Sequence, residues 1–149
     1  MRIKIISVGQ AKRTSTFCAM FDTYSKRMQW HLDTVELDAR KNITSAQQEP
    51  LILNAIPDGY YVFALDEIGK TLSSPAFAKK LNVISQDFSP NICFIIGGAD
   101  GLTGVVRKRA DYLLSFGKQT WPHQMVRVML MEQIYRAQQI LSGHPYHRD

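Results

Sequence analysis

The chain has 149 residues and a mass of 17.0 kDa, a size that suits one domain built around one hydrophobic core. Hydrophobic residues make up 45% of the sequence and charged residues 21%, which argues against disordered, fibrous and membrane-embedded classes of protein. Eighteen Lys and Arg residues against thirteen Asp and Glu residues give a net charge of +5, which is compatible with a polyanionic partner without requiring one.

The cysteines and the apolar runs indicate the compartment. Cys18 and Cys93 lack the close spacing of a zinc or redox motif, so a reducing cytoplasm is the simplest location and we expect no metal. The longest apolar runs, such as residues 92–96, are far shorter than the roughly 20 residues that span a bilayer. The opening MRIKIISVGQ has no long apolar region, and we therefore expect neither a membrane segment nor a secretion signal.

In the first part of the chain, strand and helix patterns alternate. A β-rich apolar run, residues 2–8, ends at Gly9 and predicts the first strand. Apolar residues then recur at the three-to-four spacing of a helix, at Phe17, Met20, Phe21, Tyr24 and Met28. Residues 30–37 form a weaker strand candidate. Residues 42–56 are expected to be helical in part, and Pro50 leaves the boundaries of that helix open.

The middle of the chain continues this alternation. Residues 60–65 predict a strand, introduced by the turn signal Pro-Asp-Gly. Ser74 is a natural N-cap for the next helix and Pro75 a natural first helical residue, because the missing N–H of proline would be unpaired there in any case. Residues 91–96 are nearly all apolar and end at two glycines, as expected of a central parallel strand covered on both faces.

The last part of the chain holds a weak strand candidate, residues 113–116, and the clearest helix. This helix should start near Pro122 and stop at Gly143. Its three methionines fit core or dimer contacts better than cofactor binding: Met125, Met129 and Met131. Alternating strands and helices predict one α/β domain over residues 1–149, with a largely parallel sheet flanked by helices.

The segment FIIGGADGL places Gly97, Gly98 and Gly101 directly after the central strand. Ligands of open α/β sheets bind beyond the carboxyl ends of strands, where glycine lets the backbone approach a cofactor closely. A tight turn that binds nothing has the same local pattern, and the spacing is not that of a dinucleotide-binding fingerprint. The local sequence alone leaves both interpretations open.

A second motif, Gly69-Lys70-Thr71, ends like a phosphate-binding loop. That loop needs another glycine five positions before the first of these residues, where Ala64 stands within a predicted strand. We therefore reject a nucleoside triphosphatase.

The C-terminal HPYHRD combines two histidines with an aromatic and a basic residue. His144 and His147 have a spacing that two metal ligands could use, but no acidic or cysteine partner stands at a recognisable distance. Together with Tyr146 and Arg148 they suit stacking on a base and contact with phosphates, although a solvated terminus is the simpler interpretation. The densest basic run, residues 107–109, is typical of a solvated helix face.

Several longer segments together resemble the bacterial ribosomal RNA methyltransferase H family of the SPOUT superfamily. They are IKIISVG, YVFALDEIGKTLSSPAFA, FIIGGADGL and LLSFGKQTWPHQMVRVMLMEQIYRAQQILSGHPYHRD, so the resemblance covers essentially the whole chain. The runs TWPHQMVRV, EQIYRA and HPYHR are highly specific, whereas IIGG alone would not be. Residues 38–58 resemble the family least distinctly.

This resemblance implies a knotted α/β fold with a deep C-terminal trefoil knot, a homodimer, and S-adenosylmethionine as cofactor. It implies methylation of N3 of a pseudouridine in 23S rRNA of the large ribosomal subunit, with the ribosome as partner. The cofactor contacts that it implies are Leu65, Gly97, Gly98, Phe116, Gly117, Lys118, Gln119, Thr120 and Trp121. For the RNA we expect contacts from the tail, by His144, Tyr146, His147 and Arg148. No catalytic base is assigned.

Two alternatives stay open at this stage. The chain would be a non-catalytic ribosome-binding module if it used its basic surface and tail without a cofactor. It would be a knotted methyltransferase for a different RNA if only the acceptor differed, because fold does not fix substrate.

Overall fold

The computed structural model describes residues 1–37 and 43–147. Their five strands form one sheet in the order β2-β1-β4-β3-β5, and every neighbouring pair is parallel. The strands are β1 Arg2–Val8, β2 His31–Leu37, β3 Tyr61–Lys70, β4 Asn91–Ile96 and β5 Tyr112–Leu114. Since all the strands are parallel, their carboxyl ends lie at one edge of the sheet, called the carboxyl edge below.

Within the described ranges, five helices connect and cover these strands. They are α1 Thr16–Ser25, α2 Ser45–Ala55, α3 Ser74–Asp87, α4 Gly104–Arg109 and α5 His123–Leu141. The predicted α/β class with a largely parallel sheet is therefore confirmed. The stop predicted at Gly143 is confirmed too, because α5 ends at Leu141 and Gly143, just beyond the C-cap Ser142, adopts a φ of 69°. Among the described residues, no helix is long and apolar enough to cross a membrane.

The sheet is covered on both faces, because its central strands are apolar on both. In β4, Ile92 and Phe94 pack with α3 and α5, whereas Cys93 and Ile95 pack with α2 and α4. All four side chains are completely buried. Burying such a side chain stabilises a fold by about 1.5 to 3 kcal/mol, so the run predicted as a central strand also fixes the three-layer arrangement.

The helix starts follow the expected capping chemistry, with one correction. Thr44 caps α2 through a capping box with Gln47, and the helix continues through Pro50, which is exposed. Ser73, not Ser74, caps α3, because its side chain accepts a hydrogen bond from the N–H of Ala76. Adjacent serines offer the same chemistry one residue apart, and the main-chain turn decides between them.

Strand β3 is longer than predicted because it resumes pairing after an irregularity. It pairs with β5 as far as Leu65 and again at Lys70. Between them, Gly69 approaches β5 so closely that a Cβ atom there would lie 2.7 Å from the carbonyl carbon of Leu113. The glycine of the rejected phosphate-binding motif is thus explained by backbone packing between two strands.

Candidate active site

A cavity of about 630 Å³ lies at the carboxyl edge of β3, β4 and β5. Eight of the nine predicted cofactor contacts line it, and Lys118 does not. The eight are Leu65, Gly97, Gly98, Phe116, Gly117, Gln119, Thr120 and Trp121. Leu65 lies in β3 beside the end of β4, and the other seven lie in the loops after β4 and β5. The fold thus gathers one surface from residues up to 56 positions apart in sequence.

The glycine loop after β4 is tightly packed against its own neighbours. A Cβ atom on Gly97 would lie 2.8 Å from a methyl carbon of the buried Leu102, and one on Gly98 would lie 3.1 Å from the side-chain amide of Gln48. Gly101, with a φ of 73°, closes the turn by donating a hydrogen bond to the carbonyl of Gly98. The conformation and packing of the loop therefore require glycine at these positions, whether or not a ligand binds. The loop presents its backbone to the cavity.

The loop after β5 is held in place by a buried hydroxyl. Ser115 Oγ donates to the carbonyl of Gly117 at 2.9 Å and accepts from the N–H of the same residue at 3.1 Å. Gly117 has a φ of 114°, which favours glycine. This turn directs the following residues, 119–121, along the cavity wall.

An ion pair in the cavity wall was not predicted from the sequence. Asp66, with a nearly buried side chain, accepts a hydrogen bond from Arg107 Nε at 2.7 Å. The two residues are 41 positions apart and lie on β3 and α4, so no local spacing indicated the pair. Arg107 is thereby separated from the solvated basic run in which the sequence placed it, whereas Lys108 and Arg109 are exposed.

His123 also lines the cavity and was not predicted. It lies at the start of α5, and its Nε2 is 3.3 Å from Gln124 Nε2. Burial, and secondarily the positive charge of Arg127, lower the pKa of His123 below its ordinary value of 6.5. Arg127 itself is buried and paired with Glu36 on β2. The imidazole is therefore mainly neutral at pH 7 and can act as a hydrogen-bond donor or acceptor.

The described part of the C-terminal tail folds back on α5. The Tyr146 hydroxyl lies 3.2 Å from Glu132 Oε1, and the same carboxylate oxygen accepts hydrogen bonds from Arg136 at 2.6 and 2.9 Å. The Arg136 guanidinium lies 4.8 Å from the centre of the Tyr146 ring, and Tyr135 meets that ring edge-on. Burial and the Glu132 carboxylate raise the pKa of Tyr146 to about 12, so its hydroxyl stays protonated and donates.

The other tail residues have different surroundings. His144 is exposed, and its Nδ1 accepts from the N–H of Tyr146 at 3.2 Å. His147 Nδ1 lies 3.2 Å from Arg136 Nη1. Arg148 lies outside the described residues. The sequence offered one signal for the unpredicted members of this cluster: Glu132 and Arg136 have the i, i+4 spacing of a helical ion pair.

A second cavity, of about 580 Å³, shares part of its lining with the first one and includes Glu132 of the tail cluster. Ser115, Phe116 and Gly117 line both cavities, and Glu132 lines the second. The wall that carries predicted cofactor contacts is thus shared with a cavity that reaches the tail cluster.

The remaining candidate residues are structural. Burial raises the pKa of the Cys93 thiol to about 12, which makes it unreactive. Met131 is completely buried in the core, which is one of the two roles expected for the methionines of α5, the other being dimer contacts. Met125 and Met129 are half-buried. Among the described residues, no group of three or more metal-ligating side chains is present.

The sequence and the fold both match known methyltransferases. The family described as "Predicted SPOUT methyltransferase" matches residues 1–147. Proteins named ribosomal RNA large subunit methyltransferase H are similar over 99% of this chain: those of Rhodospirillum centenum at 49% identity, Rhodopseudomonas palustris at 44% and Acholeplasma laidlawii at 41%. The match covers 99%, 99% and 100% of these relatives, respectively.

Two solved structures share the fold at low sequence identity. One is a probable methylase family protein from Haemophilus influenzae, with a TM-score of 0.54 and 14% identity. The other is the SpoU methyltransferase AviRb from Streptomyces viridochromogenes in complex with AdoMet, with a TM-score of 0.50 and 13% identity. The match to the Haemophilus influenzae protein covers 95% of this chain and 66% of that protein. The match to AviRb covers 96% of this chain and 59% of AviRb.

Proposed function

Because the chain belongs to the SPOUT methyltransferase family, we propose that it transfers a methyl group from S-adenosylmethionine to rRNA of the large ribosomal subunit. The observation that carries this proposal is the cavity at the carboxyl edge, where eight residues implied as cofactor contacts converge from three segments. Its volume of about 630 Å³ lies within the usual range of roughly 300 to 1,000 Å³ for small-molecule sites.

The cavity wall suits a cofactor that combines an adenine, a sugar and an amino acid. Gly97, Gly98, Gly117 and residues 119–121 offer main-chain groups, which read an adenine edge without a charged side chain. Asp66 and Arg107 offer opposite charges to the ammonium and carboxylate of an amino acid. When bound, S-adenosylmethionine supplies an activated methyl group, so the protein mainly has to hold donor and acceptor in line.

For the acceptor we propose N3 of a pseudouridine in 23S rRNA. Its N–H is a weak acid, and loss of the proton makes the nitrogen a better nucleophile. The tail residues His144, Tyr146 and His147, together with Arg148, contact the RNA and not the cofactor. This assignment is supported by the position of Tyr146, which contacts the second cavity's Glu132 and does not line the first cavity.

We also propose that the active form is a homodimer. Helix α1 carries Phe17, Met20, Phe21 and Tyr24, yet none of its residues is fully buried in the single chain. Met20 is 46% exposed. A second copy packed against α1 and the neighbouring part of α5 would cover this surface, and closed twofold dimers are the commonest oligomers.

Two measurements test the function. Ribosomes from cells lacking the gene, incubated with the protein and S-adenosylmethionine carrying a labelled methyl group, should acquire label in 23S rRNA. Mapping of the modified nucleotide should place it on a pseudouridine. If another RNA acquired the label, the proposed acceptor would be wrong and that RNA would take its place. If S-adenosylmethionine did not bind in calorimetry, the result would favour the non-catalytic ribosome-binding module.

A further inference from the structure

The loop between β1 and α1 presents two adjacent cations, Lys12 and Arg13, beside the candidate active site. Both side chains are exposed, and neither forms an ion pair with any described residue. The nearby Glu36 carboxylate is engaged, since it pairs with Arg127 and accepts from the N–H of Ala11 at 3.4 Å. Two positive charges are therefore left for a partner outside this part of the chain.

The loop is fixed at both ends. At its start, Gly9 donates to the carbonyl of Leu37 at 2.9 Å, and the carbonyl of Gln10 accepts from Gln124 Nε2 at 3.3 Å. At its end, the N–H of Ser15 donates to the carbonyl of Lys12 at 2.9 Å, and Ser15 caps α1. Such an anchored turn presents its two cations with a smaller loss of backbone entropy on binding than a free arm would.

The anchored end touches the cavity wall. An ideal Cβ on Gly9 would lie 3.4 Å from Nε2 of His123, which lines the cavity. Gln124, which holds the carbonyl of Gln10, is the next residue of α5. The loop that carries Lys12 and Arg13 is therefore anchored next to the cavity wall, through Gly9 and Gln10.

We propose that Lys12 and Arg13 form a phosphate-binding turn that grips the rRNA backbone next to the acceptor nucleotide. This inference rests on the proposed function and adds a surface that positions the substrate. Phosphate contacts fix the register of a protein on a nucleic acid, whereas base contacts select the nucleotide. The turn thus complements the tail, to which we assign the base-proximal contacts.

The chain offers a matched control at the other end of α1. Lys26 and Arg27 are the same two residues in the same order, and both are exposed and without an ion pair to a described residue. The two pairs lie beyond opposite ends of α1, which has ten residues and is therefore about 15 Å long. Replacing either pair by alanine removes the same charge, but only the first pair belongs to the loop whose Gly9 lies against His123 of the cavity wall.

The test measures binding of unmethylated ribosomes without cofactor, over a range of salt concentrations. Lys12→Ala with Arg13→Ala should weaken binding several-fold and reduce the slope of log affinity against log salt by about 1 for each lost phosphate contact. Affinity for S-adenosylmethionine should not change. Lys26→Ala with Arg27→Ala should have a clearly smaller effect, and Lys12→Arg with Arg13→Lys should restore the wild-type slope.

The outcomes separate this inference from the proposed function. The phosphate-binding turn would be wrong if both double alanine variants lost the same ribosome affinity, or if Lys12→Ala with Arg13→Ala left the salt slope unchanged. Neither result would affect the proposed rRNA methylation by the wild type. A swapped pair that stayed defective would also overturn it, because the effect would then be structural. If the wild type methylated no rRNA at all, the proposed function itself would be wrong.

Discussion

At the scale of single residues, the glycine loop after β4 is the most constrained part of the candidate site. Any side chain at Gly97 has to displace the buried Leu102 or move the loop that presents backbone to the cavity. Overpacking of this kind typically costs about 1 to 3 kcal/mol. The cost falls on the loop geometry that we assign to cofactor binding.

We therefore expect Gly97→Val to lower S-adenosylmethionine affinity by about tenfold or more, since 1.4 kcal/mol corresponds to a factor of ten. Calorimetric titration measures the affinity for S-adenosylmethionine, and thermal unfolding checks that the variant remains folded. Gly104→Ala is the control, because a Cβ on Gly104 meets nothing within 4 Å. Wild-type affinity in a folded Gly97→Val variant would refute the placement of the cofactor.

His123 gives a second prediction at this scale, concerning pH. Its folded-state pKa is below the unfolded value near 6.5, chiefly because of burial, so the unfolded state binds more protons as pH falls. The stability contributed by neutral His123 is present above about pH 6.5 and is lost as pH falls below that value. Urea unfolding between pH 7.5 and 5 should show this loss in the wild type and a smaller one in His123→Gln.

The control for the pH prediction is the exposed His31 on β2. His31→Gln should keep the wild-type dependence of the free energy of unfolding on pH. Identical pH dependence in the wild type and in His123→Gln would show that the imidazole at the cavity wall is not the titrating group.

At the scale of elements, the C-terminal tail can be separated from the cofactor cavity. Tyr146 and Arg136 both contact Glu132, which lines the second cavity, and none of these three residues lines the first. Removing the tail should consequently leave the cofactor contacts in place. It would remove an aromatic ring whose stacking on an exposed base is worth about 1 to 3 kcal/mol.

Deletion of residues 143–149 should leave S-adenosylmethionine affinity nearly unchanged and suppress methyl transfer to ribosomes. Tyr146→Ala and Arg148→Ala should each cause part of that loss, about five- to hundredfold for the ring if stacking carries it. Calorimetry and transfer of labelled methyl groups measure the two effects. A truncated protein that methylated at the normal rate, or that lost both activities while folded, would contradict this role.

The elements also show what the sequence could predict. Strands β1 and β4 were predicted with their observed bounds, because both are nearly continuous apolar runs bordered by glycine or turn signals. The second half of β3, residues 66–70, was missed because its largely polar sequence, DEIGK, is typical of a loop. This half joins the sheet only by pairing with β5. Pairing between distant segments is not encoded in local periodicity.

The candidate site divides in the same way. Residues 116–121 and the two glycines were obtained from a family resemblance, and the local pattern alone left a ligand loop and an empty turn equally open. Asp66 with Arg107, and His123 with Gly9, meet only through the fold and carried no signal in sequence spacing. The trefoil knot stays a prediction, since neither strand order nor helix periodicity specifies how a chain passes through itself.

At the scale of the whole molecule, a chain of 149 residues has to complete a site that we propose to hold both a cofactor and an rRNA. Its net charge of +5 provides mainly sequence-independent attraction to RNA, so selection needs local contacts on more surface than the cavity supplies. Helix α1 has no fully buried residue and exposes Met20, which offers an apolar contact to a second copy. A dimer would place two tails and two phosphate-binding turns on one particle.

We therefore expect the wild type to sediment as a dimer at micromolar concentration and Met20→Asp to sediment as a monomer. A carboxylate buried without a partner in an interface costs several kcal/mol, enough to raise the dissociation constant by two orders of magnitude or more. Phe88→Asp is the control, because Phe88 is 74% exposed but follows α3, at the end of the sheet opposite the carboxyl edge. A wild-type monomer with full methylating activity would contradict the dimer, and a dimeric Met20→Asp would move the interface away from α1.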